Sequence, residues 1–156
     1  MDSHKALPAL HYDRARLDSV ELYPFKEMVR AGLGGVMVGH LQVQALDPDG
    51  VTPSSLSRNV VTGLLKDELG FKGLVFTDAL DMKGVSAIPQ VTTKALLAGN
   101  DMVLVQFNTK NAVQELVDAV ESGQLSKDEL DAKCRKVLMY KYICLLYTSD
   151  AADDKA

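Results

Sequence analysis

Three short apolar runs limit what this chain can fold into: "GVMV" at 35–38, "GLVF" at 73–76, and "MVLV" at 102–105. Each is bounded by turn residues or by helical spacing, and none alternates with polar residues. Such runs read as strands buried on both faces. The segments between them have helical spacing. Strands separated by helices pair in parallel through right-handed crossovers.

The helical segments carry their own stop signals. "LDSVELYPFKEMVRAG" puts Val20, Leu22, Phe25, Met28 and Val29 on one stripe, with Asp18 as the expected cap, Pro24 in the first turn and Gly32 as the end. "SRNVVTGLLKDELG" is a second helix, capped by Ser57 and ended by Gly70. "PQVTTKALLAGN" ends at Gly99, and "NTKNAVQELVDAVESGQ" stops at Gly123. "SKDE" opens the last helix as a capping box from Ser126 to Glu129. "QALDPDGVTPSSLS" is a loop rich in Pro, Asp, Gly and Ser.

The order is therefore α, β, α, β, α, β, α, α, an α/β class. A closed parallel barrel needs eight strands and typically about 250 residues. This chain has 156 residues, so the expectation is a fragment of a (β/α)8 TIM-type barrel, roughly its last three strands and their helices. Residues 1–142 are expected to be that partial barrel domain. Residues 143–156 are expected to be a non-native tail, because "CLLYTSDAADDKA" departs abruptly from the helix before it.

Composition excludes several classes. The net charge is -4, with Lys and Arg scattered along the chain, so there is no electrostatic footprint for nucleic acid. No apolar run is long enough to span a bilayer. Cys134 and Cys144 make no metal-ligand pattern and read as free thiols. No GxGxxG or GxxxxGK[ST] loop is present, which takes most of the weight from the dinucleotide and P-loop readings. No metal and no organic cofactor is expected. The compartment is left open by the sequence.

Parallel α/β folds carry their functional groups just beyond the carboxyl ends of the strands. Those positions hold Gly39 and His40 after the first strand, Thr77 and Asp78 after the second, and Gln106 and Asn108 after the third. Each has a plain alternative. Asp78 could cap a following helix, His40 could be a satisfied core histidine, and Asn108 is a good helix cap. Near the start, "DSH" sets Asp2 and His4 two residues apart, on one side of an extended loop. A carboxylate beside an imidazole fixes its tautomer and stabilises its protonated form, so the pair can exchange protons near neutral pH.

Five segments taken in order, "DSHKALP", "LDSVELYPFKEMVRAGLGGVMVGHL", "ALDPDGVTPSSLS", "LLKDELGFKGLVFTDALDMKGV" and "ALLAGNDMVLV", resemble the N-terminal domain of glycoside hydrolase family 3. The resemblance runs from Asp2 to Tyr142 and is strongest toward the NagZ-type bacterial β-N-acetylglucosaminidases. It implies a (β/α)8 barrel, a carbohydrate substrate of N-acetylglucosaminide type, and Asp78 as catalytic nucleophile. It further implies His4 as acid/base, assisted by Asp2. His40, on the neighbouring strand end, is expected to line the sugar pocket. The "KHFPGHG" segment that precedes "DSH" in that pattern is absent, and with it the groups that grip sugar hydroxyls. The chain by itself is therefore expected to be inactive, with apolar strand edges exposed. Two alternatives stand beside this reading: a β-glucosidase-type member of the same family, and a receiver-like phosphoacceptor module with Asp78 as acceptor.

Overall fold

The computed structural model describes residues 7–47, 49–105 and 108–144. Its centre is a three-stranded parallel sheet in the order β2-β4-β5. These strands are β2 (Gly35–Val38), β4 (Leu74–Ala79) and β5 (Met102–Leu104), and they coincide with the three apolar runs. A second, two-stranded parallel pair joins β1 (Ala9–Leu10) to β3 (Gln42–Val43). Sequence reading missed this pair, because two-residue strands carry no periodicity. The central sheet is open, with no closed barrel among the described residues.

Alternation along β4 divides the sheet into two faces. Val75, Thr77 and Ala79 are buried, whereas Leu74, Phe76 and Asp78 are only half-buried. Val36 and Val38 continue the buried face on β2 and meet Val61, Leu65, Phe71 and Ala98 in the main core. The helix α3 (Val91–Ala98) and the segment Asn59–Glu68 cover this side. That segment has π-type winding, its last turn closed by Leu69 N–H on the Leu64 carbonyl at 2.9 Å. On the other face Met37, Met102 and Leu104 are exposed. The helix α4 (Thr109–Glu121) packs through Leu116 and Val120 onto a second cluster around Leu96, Ala119 and Leu125.

Two helix starts differ from expectation. Asp13, not Asp18, makes the first cap: its side chain accepts the Arg16 N–H at 2.7 Å at the head of α1 (Arg14–Arg16). Asp18 is drawn away by cations, bonding Arg14 at 2.8 Å and Lys26 at 3.2 Å. The chain then passes through a π turn, Leu17–Glu21, into α2 (Tyr23–Arg30). The expected apolar stripe does not face the core as a unit. Leu17 is buried and Val29 packs on the core, but Val20, Phe25 and Met28 are exposed. Ser126 stands at the N-cap of α5 (Lys127–Ile143), yet its side chain makes no capping bond.

Glycine is required where two elements touch. Gly99 ends α3 at φ +118°, and a Cβ there would lie 2.4 Å from Thr62 Oγ1. No helix among the described residues is long and apolar enough to cross a membrane.

Candidate active site at the carboxyl end of the sheet

Asp78 is the penultimate residue of β4, on the open face. Its Oδ1 accepts the N–H of Ala79 at 2.8 Å. Among the described residues it has no cation within ion-pairing distance. A carboxylate has about four acceptor positions, so most of its capacity is unused by the described residues. No helix follows directly; residues 80–90 form turns before α3. The cap alternative for Asp78 is therefore not realised.

A buried polar network fixes the strand ends around it. His40 is 2% exposed. Its Nε2 lies 2.9 Å from the Ala79 carbonyl and its Nδ1 lies 2.6 Å from Ser55 Oγ. A carbonyl only accepts, so Nε2 carries a proton and donates it. Asn100 Nδ2 donates to the Ser55 carbonyl at 2.8 Å and the Ala95 carbonyl at 2.7 Å. The network thus ties the end of β2 to the end of β4 and to the turn before β5. His40 holds these strand ends together. Both of its ring nitrogens are engaged by protein.

The serine-rich loop supplies the rest of this frame. Ser54 Oγ donates to the Gly39 carbonyl at 2.7 Å and accepts the Leu41 N–H at 3.1 Å. Ser57 Oγ bonds Asp47 and also accepts the Val60 N–H at 3.3 Å, the expected helix cap. Apart from the Ser57 cap, sequence reading saw only a loop here. The available signal was the three serines within "TPSSLS", shortly after "GVMVGHL"; small hydroxyls satisfy backbone groups that a buried connection cannot leave bare.

The chain start comes to the same end of the sheet. The Gln42 N–H donates to the Pro8 carbonyl at 2.8 Å, and Ala9 and Leu10 pair with Gln42 and Val43. A Cβ placed on Gly84, in the turn after β4, would lie 3.4 Å from the Leu7 backbone. Asp2 and His4 lie outside the described residues, as does Gln106. Asn108 begins α4 at φ 58°, with its backbone carbonyl rather than its side chain taking the first helical N–H groups. Beside these strand ends a depression of about 280 Å³ has a mixed lining, with Leu80, Val91 and Val105 beside Asp81, Asn108 and Glu115. Among the described residues no group of three or more His, Cys, Asp or Glu could hold a metal ion.

An open parallel sheet, with a carboxylate at the carboxyl end of its central strand that meets no cation among the described residues, defines an α/β protein with a candidate site at the strand ends. The particular family is shown by comparison with known proteins. The chain belongs to glycosyl hydrolase family 3: the model of that family's N terminal domain matches residues 1–140. It is similar to "Beta-hexosaminidase A" from Pseudoalteromonas piscicida, 31% identical over 163 residues that cover 90% of this chain and 27% of that protein. It is also similar to a "Beta-hexosaminidase" from Thioalkalivibrio sulfidiphilus, 39% identical over 123 residues, 77% of this chain and 34% of that one. A family 3 beta-N-acetylglucosaminidase from Paenibacillus sp. str. FPU-7 superimposes with a TM-score of 0.85 at 37% identity, over 91% of this chain and 28% of that chain. The chain thus spans about a third or less of the length of these relatives. Family membership removes the receiver-like alternative.

Proposed function

We propose that this chain is the nucleophile-bearing part of a retaining β-N-acetylhexosaminidase, drawn from the last three strands of a (β/α)8 barrel. The observation that carries the reading is Asp78, held on the open face of the central strand with no cation beside it among the described residues. Family membership and relatives named beta-hexosaminidase support the reaction class. Exposed Met37, Met102 and Leu104 support the barrel, since a parallel sheet is ordinarily covered on both faces.

In the first step Asp78 attacks the anomeric carbon of a terminal N-acetylglucosaminide as the glycosidic C–O bond breaks. His4, steadied by Asp2, gives its proton to the departing oxygen. In the second step His4 takes a proton from water, water attacks the anomeric carbon, and the Asp78 ester is released. Two displacements leave the β configuration retained. The acid/base role of His4 is supported by the course of the chain behind it. Leu7, three residues on, lies against Gly84, and Pro8 is bonded to Gln42. Three residues reach at most about 10 Å, so the backbone of His4 can lie no farther than that from Leu7.

The test is covalent trapping in the complete enzyme. A 5-fluoro-N-acetylglucosaminyl fluoride should label Asp78, as read by peptide mass spectrometry, and Asp78→Asn should lower turnover of an aryl N-acetylglucosaminide by about a thousandfold or more. Inversion at the anomeric carbon, or a label on another residue, would refute the assignment.

A further inference from the structure

We infer that Thr77 is a positioning residue for Asp78: its buried hydroxyl closes a gap in the β4–β5 ladder, and so stabilises a bulge that presents the carboxylate. The inference rests on the proposed role of Asp78 and goes beyond it. Between β4 and β2 the register is unbroken, with Leu74, Val75, Phe76 and Thr77 facing Gly35, Val36, Met37 and Val38. Between β4 and β5 it slips. Phe76 faces Met102, but Ala79 faces Leu104. Three steps along β4 therefore oppose two along β5, and β4 carries one extra residue at Thr77–Asp78.

A bulge leaves a ladder group without its backbone partner. Here the Leu104 N–H donates to Thr77 Oγ1 at 3.1 Å. Regular bonding resumes one step later, where the Leu80 N–H reaches the Leu104 carbonyl at 2.9 Å. Thr77 is 0% exposed, so solvent cannot replace its hydroxyl. Valine has the same branched shape and strand preference but offers no acceptor. This accounts for a threonine within an otherwise apolar run.

The consequence falls on the next residue. Asp78 sits between two clamps: the Thr77 hydroxyl on β5, and the Ala79 carbonyl on His40. With both neighbours fixed, the Asp78 backbone has little freedom. Its Oδ1 is further held by the Ala79 N–H, and Oδ2 has no partner among the described residues. If the hydroxyl is lost, Leu104 must find another acceptor, and the simplest is a β4 carbonyl reached by removing the bulge. That slip would turn Asp78 away from the substrate.

The experiment is the rate of covalent labelling of the complete enzyme by 5-fluoro-N-acetylglucosaminyl fluoride. Thr77→Val should lower the saturating rate constant about 10- to 100-fold, with inactivator affinity changed by less than about threefold. Thr77→Ser should stay within about threefold of wild type. The fraction of sites that can finally be labelled should be unchanged, whereas a merely structural loss would lower that fraction and leave the rate per site intact. Leu104 amide exchange should be fast in Thr77→Val and slow in wild type and Thr77→Ser. If Thr77→Val folds poorly, Thr77→Ala and Thr77→Ser give the same comparison, since they differ by the hydroxyl alone. A Val or Ala variant labelled at Asp78 at the wild-type rate, or retaining Leu104 protection, overturns the inference alone. A wild-type label on a residue other than Asp78 overturns the proposed function, and this inference with it.

Discussion

Replacing Asp101 by asparagine should destabilise the fold more than any change at the mouth of the site. Asp101 lies just before β5, at the amino end of the sheet, and is 8% exposed. Its carboxylate accepts from Lys136 at 2.7 Å, the Val75 N–H at 2.9 Å and Lys66 at 3.2 Å. Its own N–H donates to the Val75 carbonyl at 2.7 Å, so this one residue starts the β4–β5 pairing. Burial alone would raise its pKa. The Lys136 bond, the Val75 N–H and the two lysine charges outweigh that and hold it below its ordinary value. An asparagine could keep the Val75 bond, but its amide would confront ammonium groups, donor against donor. Removing one partner of a buried pair costs about 3–5 kcal/mol. Lys66 and Lys136 are each 24% exposed and keep carbonyl partners at Gly99 and Gly73. The loss should therefore fall to about 2–3 kcal/mol. Because the folded-state pKa is depressed, the stabilisation is fully present above the unfolded value near 3.8 and is lost as pH falls through the folded value. Urea unfolding of wild-type and Asp101→Asn enzyme should show the full gap at neutral pH and a shrinking gap below about pH 4. A neutral-pH gap under about 1 kcal/mol, or one that does not shrink in acid, would refute the reasoning.

Two further outcomes are expected. Gly99→Ala should destabilise by about 1–3 kcal/mol in thermal unfolding, since its Cβ would press on Thr62 Oγ1 at a positive φ; Thr62→Ala combined with it should recover only the steric part. The 156-residue chain expressed alone should not turn over an aryl N-acetylglucosaminide and should bind a hydrophobic dye through its uncovered sheet face; turnover like that of a full-length relative would refute this.

The central sheet was legible because a buried parallel strand must be continuously apolar, and the helix ends were legible because Gly32, Gly70, Gly99 and Gly123 all adopt positive φ. The first helix start was not, because Asp13 and Asp18 are equally good caps in one dimension. The choice is made by Arg14 and Lys26, whose side chains claim Asp18. Periodicity found the stripe of Val20, Phe25 and Met28 but could not say what lies against it. Asp78 was readable as a polar residue closing an apolar run. The inward role of His40 was not, since strand-end position does not tell which face a side chain takes. Its partner Ser55 is 15 residues away along the chain. The bulge was invisible for a different reason. Periodicity records the residues of one strand, while a one-residue slip exists only between two.

The two carboxylates linked to β4 show how the work is divided along the strand. At the amino end Asp101 accepts from two ammonium groups and a backbone N–H, which uses most of its acceptor positions in holding elements together. At the carboxyl end Asp78 accepts one backbone N–H and pairs with no cation among the described residues. If Asp78 served stability, a partner charge beside it would lower its energy, and the fold has shown at Asp101 that lysines can be brought to a strand end. In the proposed role Asp78 forms a bond to carbon, and a carboxylate doing so is better left without such a partner, because a fixed cation draws on the electron pair it donates. The strand-end frame of His40, Ser55 and Thr77 fixes the neighbours of Asp78 through hydrogen bonds instead, so Asp78 is held in place with no partner charge among the described residues.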